Sequence, residues 1–582
     1  MFKYKLKNTE SALWDSIVDT VLFNLDLNQY KAMQMINAPK YVELDKSESY
    51  NNLELGFDLF RKHLNNNSTF GILVDCDCDG YLSSSMLYDF LINELKVDEN
   101  RVKYYIHSGK IHGLEDEEVF ENIANDNIDL MLIADASSSE RIFHEKLNAK
   151  NTDILVLDHH EFNINDIVNN NKTIIINNQA NNDVNKYLSG TGVTYKFVNY
   201  AYKKLLNKDL GNKYIDLVAL SLISDVMDLS ELGENWNYLM LGTLKENITN
   251  KLISCFMETL NKEYLNFNDI AFGISSSINA IVRVGDLDDK EMLFKALCNS
   301  NETVKYSQRA KPTINQSIQE ATLRVANNKK SKQKREIDKI MEGIEVKILK
   351  KDLFKNKVLI VDVSEFNLKS FGGIIATKLS SQYKRPTILV SNIEGNTYGG
   401  SCRGYEKSNI SDFKKICEDT NLFNWCKGHS NAFGCNIEIE NLIKVNDIFN
   451  SKFENEENED IYLVDKVFEG SINKNDLKDI ADLDRLWNSY LREPLFLIKN
   501  VKISTKDIEK IGNATYTFKY SNIKFVKNYG SKVWFYNLCC RDDNSFGHNN
   551  LNVDIVCRFR KNSYGYYIEI EDTHSTIDKL MF

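Results

Sequence analysis

The sequence predicts an α/β fold built on a parallel sheet, followed by a smaller α/β domain and a β-rich C-terminal region. Three short, nearly continuous apolar runs are typical of strands buried on both faces: FGILV (70–74), LMLIA (130–134) and DILVL (153–157). Helical patterns alternate with these runs, as expected for parallel strands. Each run ends in an aspartate, and these are Asp75, Asp135 and Asp158. Because open α/β sheets bind ligands at the carboxyl ends of their strands, we expect the three aspartates at one functional edge.

The first half of the chain is predicted to hold three segments. Residues 1–66 form an N-terminal helical segment, and residues 67–300 form the parallel-sheet domain. Pro312 opens a long polar helical pattern that ends near Gly343, which predicts a connecting helix within residues 301–345.

The second half of the chain returns to an α/β pattern and then becomes β-rich. The runs VLIVDV and RPTILV, with a helix after Gly372 between them, predict the smaller α/β domain over residues 346–453. The acidic run at 454–460 is typical of an exposed linker. Residues 461–582 are predicted to form a small barrel or sandwich, in which aromatic side chains such as Phe518 make up the core or, for a minority, stack on nucleic-acid bases.

Composition places the chain among globular proteins and excludes few partners. Its 582 residues suggest three or four domains, and no stretch approaches the roughly 18 apolar residues of a membrane span. The eleven cysteines show no CxxC pair or zinc-site spacing, which is typical of reduced thiols in a cytoplasm. The net charge of −11 gives no overall attraction to nucleic acid, so a polyanion would need a local basic cleft.

Clustered carboxylates follow the first run, where DCDCDG places Asp75, Asp77 and Asp79 on alternate positions. Such carboxylates repel one another unless a cation lies among them, although a solvated turn that caps the next helix is the simpler alternative. His159 and His160 are the only adjacent pair among nine histidines, and Asp225 follows a further apolar run. Several carboxylates with an imidazole suit two divalent ions such as Mn²⁺.

These segments, taken in order, resemble the four motifs of the DHH phosphoesterase family. KGHSNAFG (427–434) resembles the signature of the DHH-associated domain, while INAIVRVGDLDD (278–289) and GGSCRGY (399–405) resemble segments of RecJ-type single-strand exonucleases. The resemblance covers about residues 67–440. It implies a DHH domain, a DHH-associated domain and an OB-like C-terminal domain.

The resemblance also implies roles for individual residues at the metal site. Two ions, Mn²⁺ or Mg²⁺, would be held by Asp75, Asp77, Asp135, His159 and Asp225, with Asp135 bridging. Catalytic roles fall on His160, Asp158 and Asp79. His160 would contact the scissile phosphate or a water, and Asp79 would orient the helix that follows it.

Further residues are implied in substrate binding. A 5′-phosphate would be held by Arg283, Ser401 and Arg403, although either arginine alone would read as a surface ion pair. The nucleotide site would be shaped by His429 and Gly428, for which a packed turn is the alternative. The family's second motif appears only as HSGKIHGL (107–114), where the arginine is absent and Lys110 stands in; Lys427 replaces a glycine of the later signature.

The function that the resemblance implies is 5′ to 3′ hydrolysis of single-stranded DNA to mononucleotides by two-metal phosphodiester chemistry. The first alternative is a phosphodiesterase acting on short oligonucleotides or cyclic dinucleotides, but such enzymes are typically much shorter proteins. The second is a non-catalytic nucleic-acid-binding scaffold, in which metal-ligand residues would be replaced. A pyrophosphatase fits least, because Gly71 stands where its motif histidine is expected. We expect a cytoplasmic monomer with no membrane contact, whose partners are single-stranded DNA and a single-strand-binding protein or helicase.

Overall fold

The computed structural model describes residues 3–37, 50–162, 170–180, 184–230, 233–307, 313–368, 371–405, 410, 412–454, 461–511, 515–528, 550–562 and 564–576. The chain folds into two compact units. The N-terminal unit comprises Leu25–Ser331 with Asp482–Glu493, and the C-terminal unit comprises Met1–Asn24, Lys332–Ala481 and Pro494–Phe582. The finer division into five segments stays a prediction.

A five-stranded parallel sheet forms the centre of the N-terminal unit. Its strands are β2 (Phe70–Val74), β3 (Val102–Ile106), β4 (Leu130–Ala134), β5 (Asp153–Asp158) and β6 (Thr173–Asn177). They lie in the order β3-β2-β4-β5-β6, and every neighbouring pair is parallel. Strands β2, β4 and β5 are buried along their whole length, which confirms the three apolar runs.

Helices cover this sheet and extend the N-terminal unit. They are α2 (Gln29–Ile36), α3 (Leu53–Asn65), α4 (Cys78–Asp89), α5 (Glu117–Asn125), α6 (Arg141–Ala149), α7 (Gly190–Leu206), α8 (Ile215–Ser224), α9 (Glu234–Gly242), α10 (Lys251–Leu260), α11 (Ser276–Val284) and α12 (Leu287–Leu297). Side-chain caps fix several starts, because a side-chain oxygen satisfies a free backbone N–H at the first turn. Asp77 caps α4 and Ser189 caps α7.

The long connecting helix exists, but its bounds differ from the expected ones. Helix α13 runs Ile318–Lys350, and the residues before it pair as an antiparallel hairpin of β7 (Thr303–Tyr306) and β8 (Ile314–Ser317). Pro312 lies outside the described residues. The helix continues through Gly343, and the missing side chain there lets Phe366 pack closely, since a Cβ would lie 2.5 Å from the Phe366 ring. The buried Ile344 and Ile348 then prolong its apolar face.

The C-terminal unit contains the second, smaller α/β sheet. Its strands are β9 (Leu359–Asp362), β10 (Thr387–Glu394), β11 (Thr397–Arg403), β12 (Phe423–His429) and β13 (Ala432–Glu438), in the order β12-β13-β11-β10-β9. Helices α14 (Gly372–Tyr383), α15 (Phe413–Glu418) and α16 (Ile439–Lys452) accompany it. The strand runs near 360 and 388 and the helix after Gly372 are therefore confirmed.

The C-terminal region is β-rich, as predicted. Strands β15 (Lys466–Glu469), β16 (Phe496–Ser504), β17 (Glu509–Ile511), β18 (Thr515–Tyr520), β19 (Ile523–Lys527), β20 (Asn550–Asn562) and β21 (Gly565–Thr576) form one mixed sheet ordered β15-β16-β20-β21-β19-β18-β17. Helices α1 (Ile17–Phe23) and α17 (Lys474–Ala481) belong to the same unit. Phe518 is buried and stacks on Phe525 with ring centroids 4.9 Å apart. These two aromatics are therefore core residues and not a platform for bases.

The N-terminus is not helical throughout. Strand β1 (Lys3–Leu6) pairs in parallel with β14 (Ile461–Val464), more than 450 residues away along the chain, and Lys7 forms an ion pair with Asp465 at 2.9 Å. Among the helices of the described residues, none is both long and apolar enough to cross a membrane. Every cysteine in the same residues is a free thiol.

Candidate metal centre and phosphate-binding residues

The aspartates that end three neighbouring strands meet at one edge of the parallel sheet. Asp75 follows β2, Asp135 follows β4 and Asp158 ends β5, and all three are buried. Donor atoms of Asp75, Asp77 and Asp135 lie within 4.8 Å of one another, as do those of Asp79, His159 and Asp225. The two groups together hold the five ligands expected from the sequence and, as a sixth residue, Asp79.

His159 and Asp135 show most directly that a cation fits. His159 Nε2 lies 3.2 Å from Asp135 Oδ1 and 3.4 Å from Asp225 Oδ2. His159 Nε2 and Asp135 Oδ1 are both buried, and neither has a hydrogen-bond partner among the described residues. Buried polar atoms are nearly always paired, and a divalent ion with oxygen and nitrogen donors would pair both.

The carboxylates of the centre disfavour one another's charge. Burial, and then the neighbouring Asp79, Asp77 and Asp75, raises the pKa of Asp135 well above its usual value. Burial and Asp75 raise the pKa of Asp77 to about 6, and burial with Asp79 and Asp77 raises the pKa of Asp225 to about 8. A bound cation would remove this repulsion.

The backbone is strained at one expected ligand and beside another. Asp135 has φ 65°, and Val226, next to Asp225, has φ 55°. A β-branched residue in this left-handed region is rare, and such strain concentrates at functional sites. Close packing accompanies the strain, because a Cβ at Gly190 would lie 2.3 Å from Asp135 Oδ1.

Asp79 is oriented differently from the expectation. Helix α4 is capped by Asp77, which accepts a hydrogen bond from the Gly80 N–H at 3.0 Å. Asp79 instead accepts from the N–H groups of Gly190 at 2.8 Å and Thr191 at 2.9 Å, and from the Thr191 hydroxyl. Its carboxylate thus fastens the N-terminus of α7, over 100 residues further along the chain, instead of orienting α4.

Asp158 positions the histidine pair. It accepts hydrogen bonds from the backbone N–H groups of Ser138, His159 and His160, and from His160 Nδ1 at 2.8 Å. Burial opposes the charge of Asp158, but the contact with His160 outweighs it and lowers the Asp158 pKa below its usual value. The same hydrogen bond raises the pKa of His160 to about 9. The His160 ring is 57% exposed, so it is accessible to a ligand.

Lys110 and Arg283 form a basic pair in the N-terminal unit. Partial burial and the Arg283 charge lower the pKa of Lys110, while Cys76 acts in the opposite direction. The two cations are therefore close enough to repel each other, and they lie near the segment that carries the aspartates. Such a pair gains stability from a bound anion.

Ser401 and Arg403 lie at the N-terminus of α14 in the C-terminal unit. A Cβ at Gly372 would lie 3.1 Å from Ser401 Oγ, and one at Gly373 would lie 2.5 Å from an Arg403 guanidinium nitrogen. Arg403 also donates to the Cys402 carbonyl at 2.7 Å. A helix N-terminus with a hydroxyl and a guanidinium is suited to a phosphate.

The segment KGHSNAFG (427–434), which resembles the signature of the DHH-associated domain, contains the turn between β12 and β13. Gly428 lies in β12 with φ 129°, a conformation that favours glycine. His429 pairs in register with Ala432, and its side chain lies outside the described part of the chain. The expected roles of Gly428 and His429 in nucleotide binding remain predictions.

Known proteins resemble this chain over almost its full length. Residues 69–222 match the N-terminal domain of the DHH family. YorK of Bacillus subtilis (strain 168), an SPbeta prophage-derived protein named as a single-strand DNA-specific exonuclease, is 32% identical over 97% of this chain and 96% of its own length. The protein belongs to the DHH family. Its match to YorK makes it a RecJ-like nuclease of that family.

Solved structures show the fold of this DHH-family nuclease. The structure of RecJ from Thermus thermophilus in complex with Mn²⁺ matches with a TM-score of 0.64 and 16% identity, over 96% of this chain and 76% of that chain. The Mg²⁺ complex of the same protein matches with a TM-score of 0.60 and 15% identity, over 96% and 74%. The RecJ-like fold is thus shown, and the acidic clusters described above suit divalent metal ions.

Sequence reasoning missed several residues of the nuclease centre. His112 donates to Asp75 at 2.6 Å, and the Gly113 N–H donates to the other oxygen of the same carboxylate at 2.9 Å. Thr191, which binds Asp79, was missed as well. The signals were present, because HSGKIHGL holds two of the nine histidines and the small residues of LSGTG (188–192) span the start of α7.

Proposed function

We propose that the protein is a metal-dependent 5′ to 3′ exonuclease that hydrolyses single-stranded DNA to mononucleotides. The observation that carries the metal requirement is the buried pair Asp135 Oδ1 and His159 Nε2, which no described residue satisfies. The single-stranded substrate is supported by the name of YorK, to which the chain is similar over nearly its whole length.

The ligands we assign to two ions, Mn²⁺ or Mg²⁺, are Asp75, Asp77, Asp135, His159 and Asp225. When bound, such ions polarise a phosphate and stabilise the negative charge that develops in phosphodiester hydrolysis. Asp135 belongs to one group of donors and lies 3.2 Å from His159 in the other, which supports its role as the bridging ligand.

The remaining groups of the centre position or contact the substrate. Asp158 holds His160 through its Nδ1, and the exposed ring of His160 can donate a hydrogen bond to the scissile phosphate. The role of Asp79 is structural, because its carboxylate fixes the N-terminus of α7, where Gly190 packs against Asp135. A fixed ligand shell keeps the reacting groups in register.

The polarity of the reaction would come from phosphate-binding residues. Ser401 and Arg403 lie at the start of α14 and suit a terminal 5′-phosphate. Lys110 and Arg283 form a second cationic site, in which Lys110 replaces the arginine of the family's second motif. These local cations would offset the net charge of −11, which by itself repels a DNA strand.

Cellular context follows from the same proposal. A nuclease of single strands meets its substrate where a helicase or a single-strand-binding protein exposes it, so these are the expected partners. We place the protein in the cytoplasm, which agrees with the free thiols of the described cysteines, and we expect it to act as a monomer.

End-labelled oligonucleotides test the proposal. We expect a 5′-labelled, 5′-phosphorylated single strand with Mn²⁺ to release labelled mononucleotide at once, while a 3′-labelled strand shortens progressively. Chelator should abolish both reactions, and a matched duplex should be resistant. Faster turnover of dinucleotides or cyclic dinucleotides would favour the alternative phosphodiesterase, and binding without cleavage would favour the scaffold.

A further inference from the structure

A further group of possible metal donors shares Asp75 with the centre. Donor atoms of Asp75, Cys76 and His112 all lie within 4.8 Å of one another. His112 Nδ1 is 2.6 Å from Asp75 Oδ2, and Cys76 is buried while the imidazole of His112 is 60% exposed. The group therefore combines oxygen, sulfur and nitrogen donors, one of which is open to solvent.

His107 lies beside Asp75 and has a buried ring nitrogen that no described residue satisfies. Its Nδ1 lies 3.0 Å from Asp116 Oδ2, and because a carboxylate only accepts, Nδ1 carries the proton. Its Nε2 is buried, has no hydrogen-bond partner among the described residues, and lies 3.9 Å from Asp75 Oδ1. This distance is too long for a hydrogen bond. A carboxylate that holds one imidazole nitrogen while the other is free is the usual support of a metal-binding histidine.

The chemistry of the donors selects the ion. A thiolate and an imidazole favour borderline-soft divalent ions such as Zn²⁺ and Co²⁺, whereas Mg²⁺ prefers oxygen ligands. We propose that Asp75, Cys76 and His112 form a binding site for a Zn²⁺-type cation, which shares Asp75 with the Mn²⁺ or Mg²⁺ ligand set but adds Cys76 and His112.

A Zn²⁺-type ion would compete with the Mn²⁺ or Mg²⁺ of the centre, because Asp75 belongs to both ligand sets. A Zn²⁺-type ion held by Cys76 and His112 would withdraw Asp75 from the ion that it shares with Asp77 and Asp135. The expected inhibition of DNA cleavage by Zn²⁺ rests on the proposed nuclease function, whereas the site itself does not.

Co²⁺ absorption tests the site without any turnover. We expect titration of the full chain with Co²⁺ to give a thiolate-to-cobalt charge-transfer band. Cys76→Ser should abolish the band, and His112→Gln should weaken Co²⁺ affinity by about tenfold or more. Cys255→Ser is the matched control, because Cys255 lies in the same unit outside the group and should leave the band intact. Circular dichroism confirms that each variant is folded.

The outcomes separate this proposal from the nuclease proposal. A band that is absent from the unmodified chain, or that persists in Cys76→Ser, would overturn the site even if Mn²⁺ supports cleavage. A Cys76-dependent band in a protein without nuclease activity would support the site and refute the nuclease function. With activity present, Zn²⁺ should inhibit the Mn²⁺ reaction less in Cys76→Ser than in Cys255→Ser, each measured against its own rate; equal inhibition would overturn the competition.

Discussion

His159 Nε2 lies 3.2 Å from Asp135 Oδ1, and neither atom has a hydrogen-bond partner among the described residues. Both atoms are buried at the carboxyl edge of the parallel sheet, where water cannot compensate for a missing partner. The arrangement is costly in the protein alone and favourable with a cation. Stability without metal should therefore be limited by the same residues that we propose as its ligands.

Asp135→Asn tests this relationship between stability and metal binding. In the presence of chelator we expect the variant to melt a few degrees higher than the unmodified protein, because the substitution removes a buried carboxylate that Asp79, Asp77 and Asp75 repel. Addition of Mn²⁺ should raise the melting temperature of the unmodified protein and have little effect on the variant. Equal Mn²⁺-induced shifts in both proteins would exclude Asp135 as a ligand.

Thr191→Val tests the anchor of α7. The substitution removes the hydroxyl that donates to Asp79, and we expect the free energy of unfolding to fall by about 1–3 kcal/mol in urea denaturation. Thr194→Val is a matched control on the same helix, because the buried Thr194 hydroxyl has no partner among the described residues. The control should be neutral or slightly stabilising, and equal losses in the two variants would show that the Asp79 contact contributes little.

The strands and their aspartates were predictable from the sequence because the signals are local. FGILV, LMLIA and DILVL became β2, β4 and β5, and parallel pairing of adjacent strands then brought Asp75, Asp135 and Asp158 to one edge. The RecJ-like resemblance supplied the remaining expected ligands, which are Asp77, His159 and Asp225.

Long-range contacts were not predictable because no local pattern encodes them. The hydrogen bond of Asp79 to Thr191 spans 112 residues, and β1 pairs with β14 across most of the chain. The start of α13 was misplaced because β7 and β8 are only four residues long and β8 (INQS) is mostly polar, so their strand pattern is weak. His112 was missed because its role depends on its distance from Asp75.

Arg403→Ala tests how the DNA end is recognised. We expect KM for 5′-phosphorylated strands to rise about 10- to 150-fold, since a hydrogen bond to a charged group contributes about 1.5–3 kcal/mol. Strands with a 5′-hydroxyl are the control and should change little. Gly373→Ala should have a smaller effect of the same kind, because its Cβ would lie 2.5 Å from the guanidinium. An unchanged preference would place recognition elsewhere, with Lys110 as the next residue to substitute.

His144 should make stability depend on pH. It is buried on α6 with both ring nitrogens unpaired among the described residues, and burial lowers its pKa to about 4. Between pH 6.5 and 4 the unfolded chain binds a proton that the folded protein does not, so stability is lost as pH falls through this window.

His144→Leu should remove this dependence. From pH 7 to pH 5 we expect the unmodified protein to lose about 2 kcal/mol more of its free energy of unfolding than the variant does. Urea denaturation at the two pH values in chelator gives the difference, and titration of all other groups cancels in the comparison. Parallel losses in both proteins would show that His144 is solvated or paired.

The most direct test of the central claim measures Mn²⁺ binding and DNA cleavage on the same samples. Calorimetry should show two Mn²⁺ ions per chain for the unmodified protein, and mononucleotide release from a 5′-phosphorylated single strand should rise with their occupancy. Asp135→Asn should lose tight binding and slow release by more than about 100-fold, because loss of an outer-shell partner alone costs about 10- to 100-fold. Cleavage that persists in Asp135→Asn, or that proceeds in chelator, would contradict the metal-dependent mechanism.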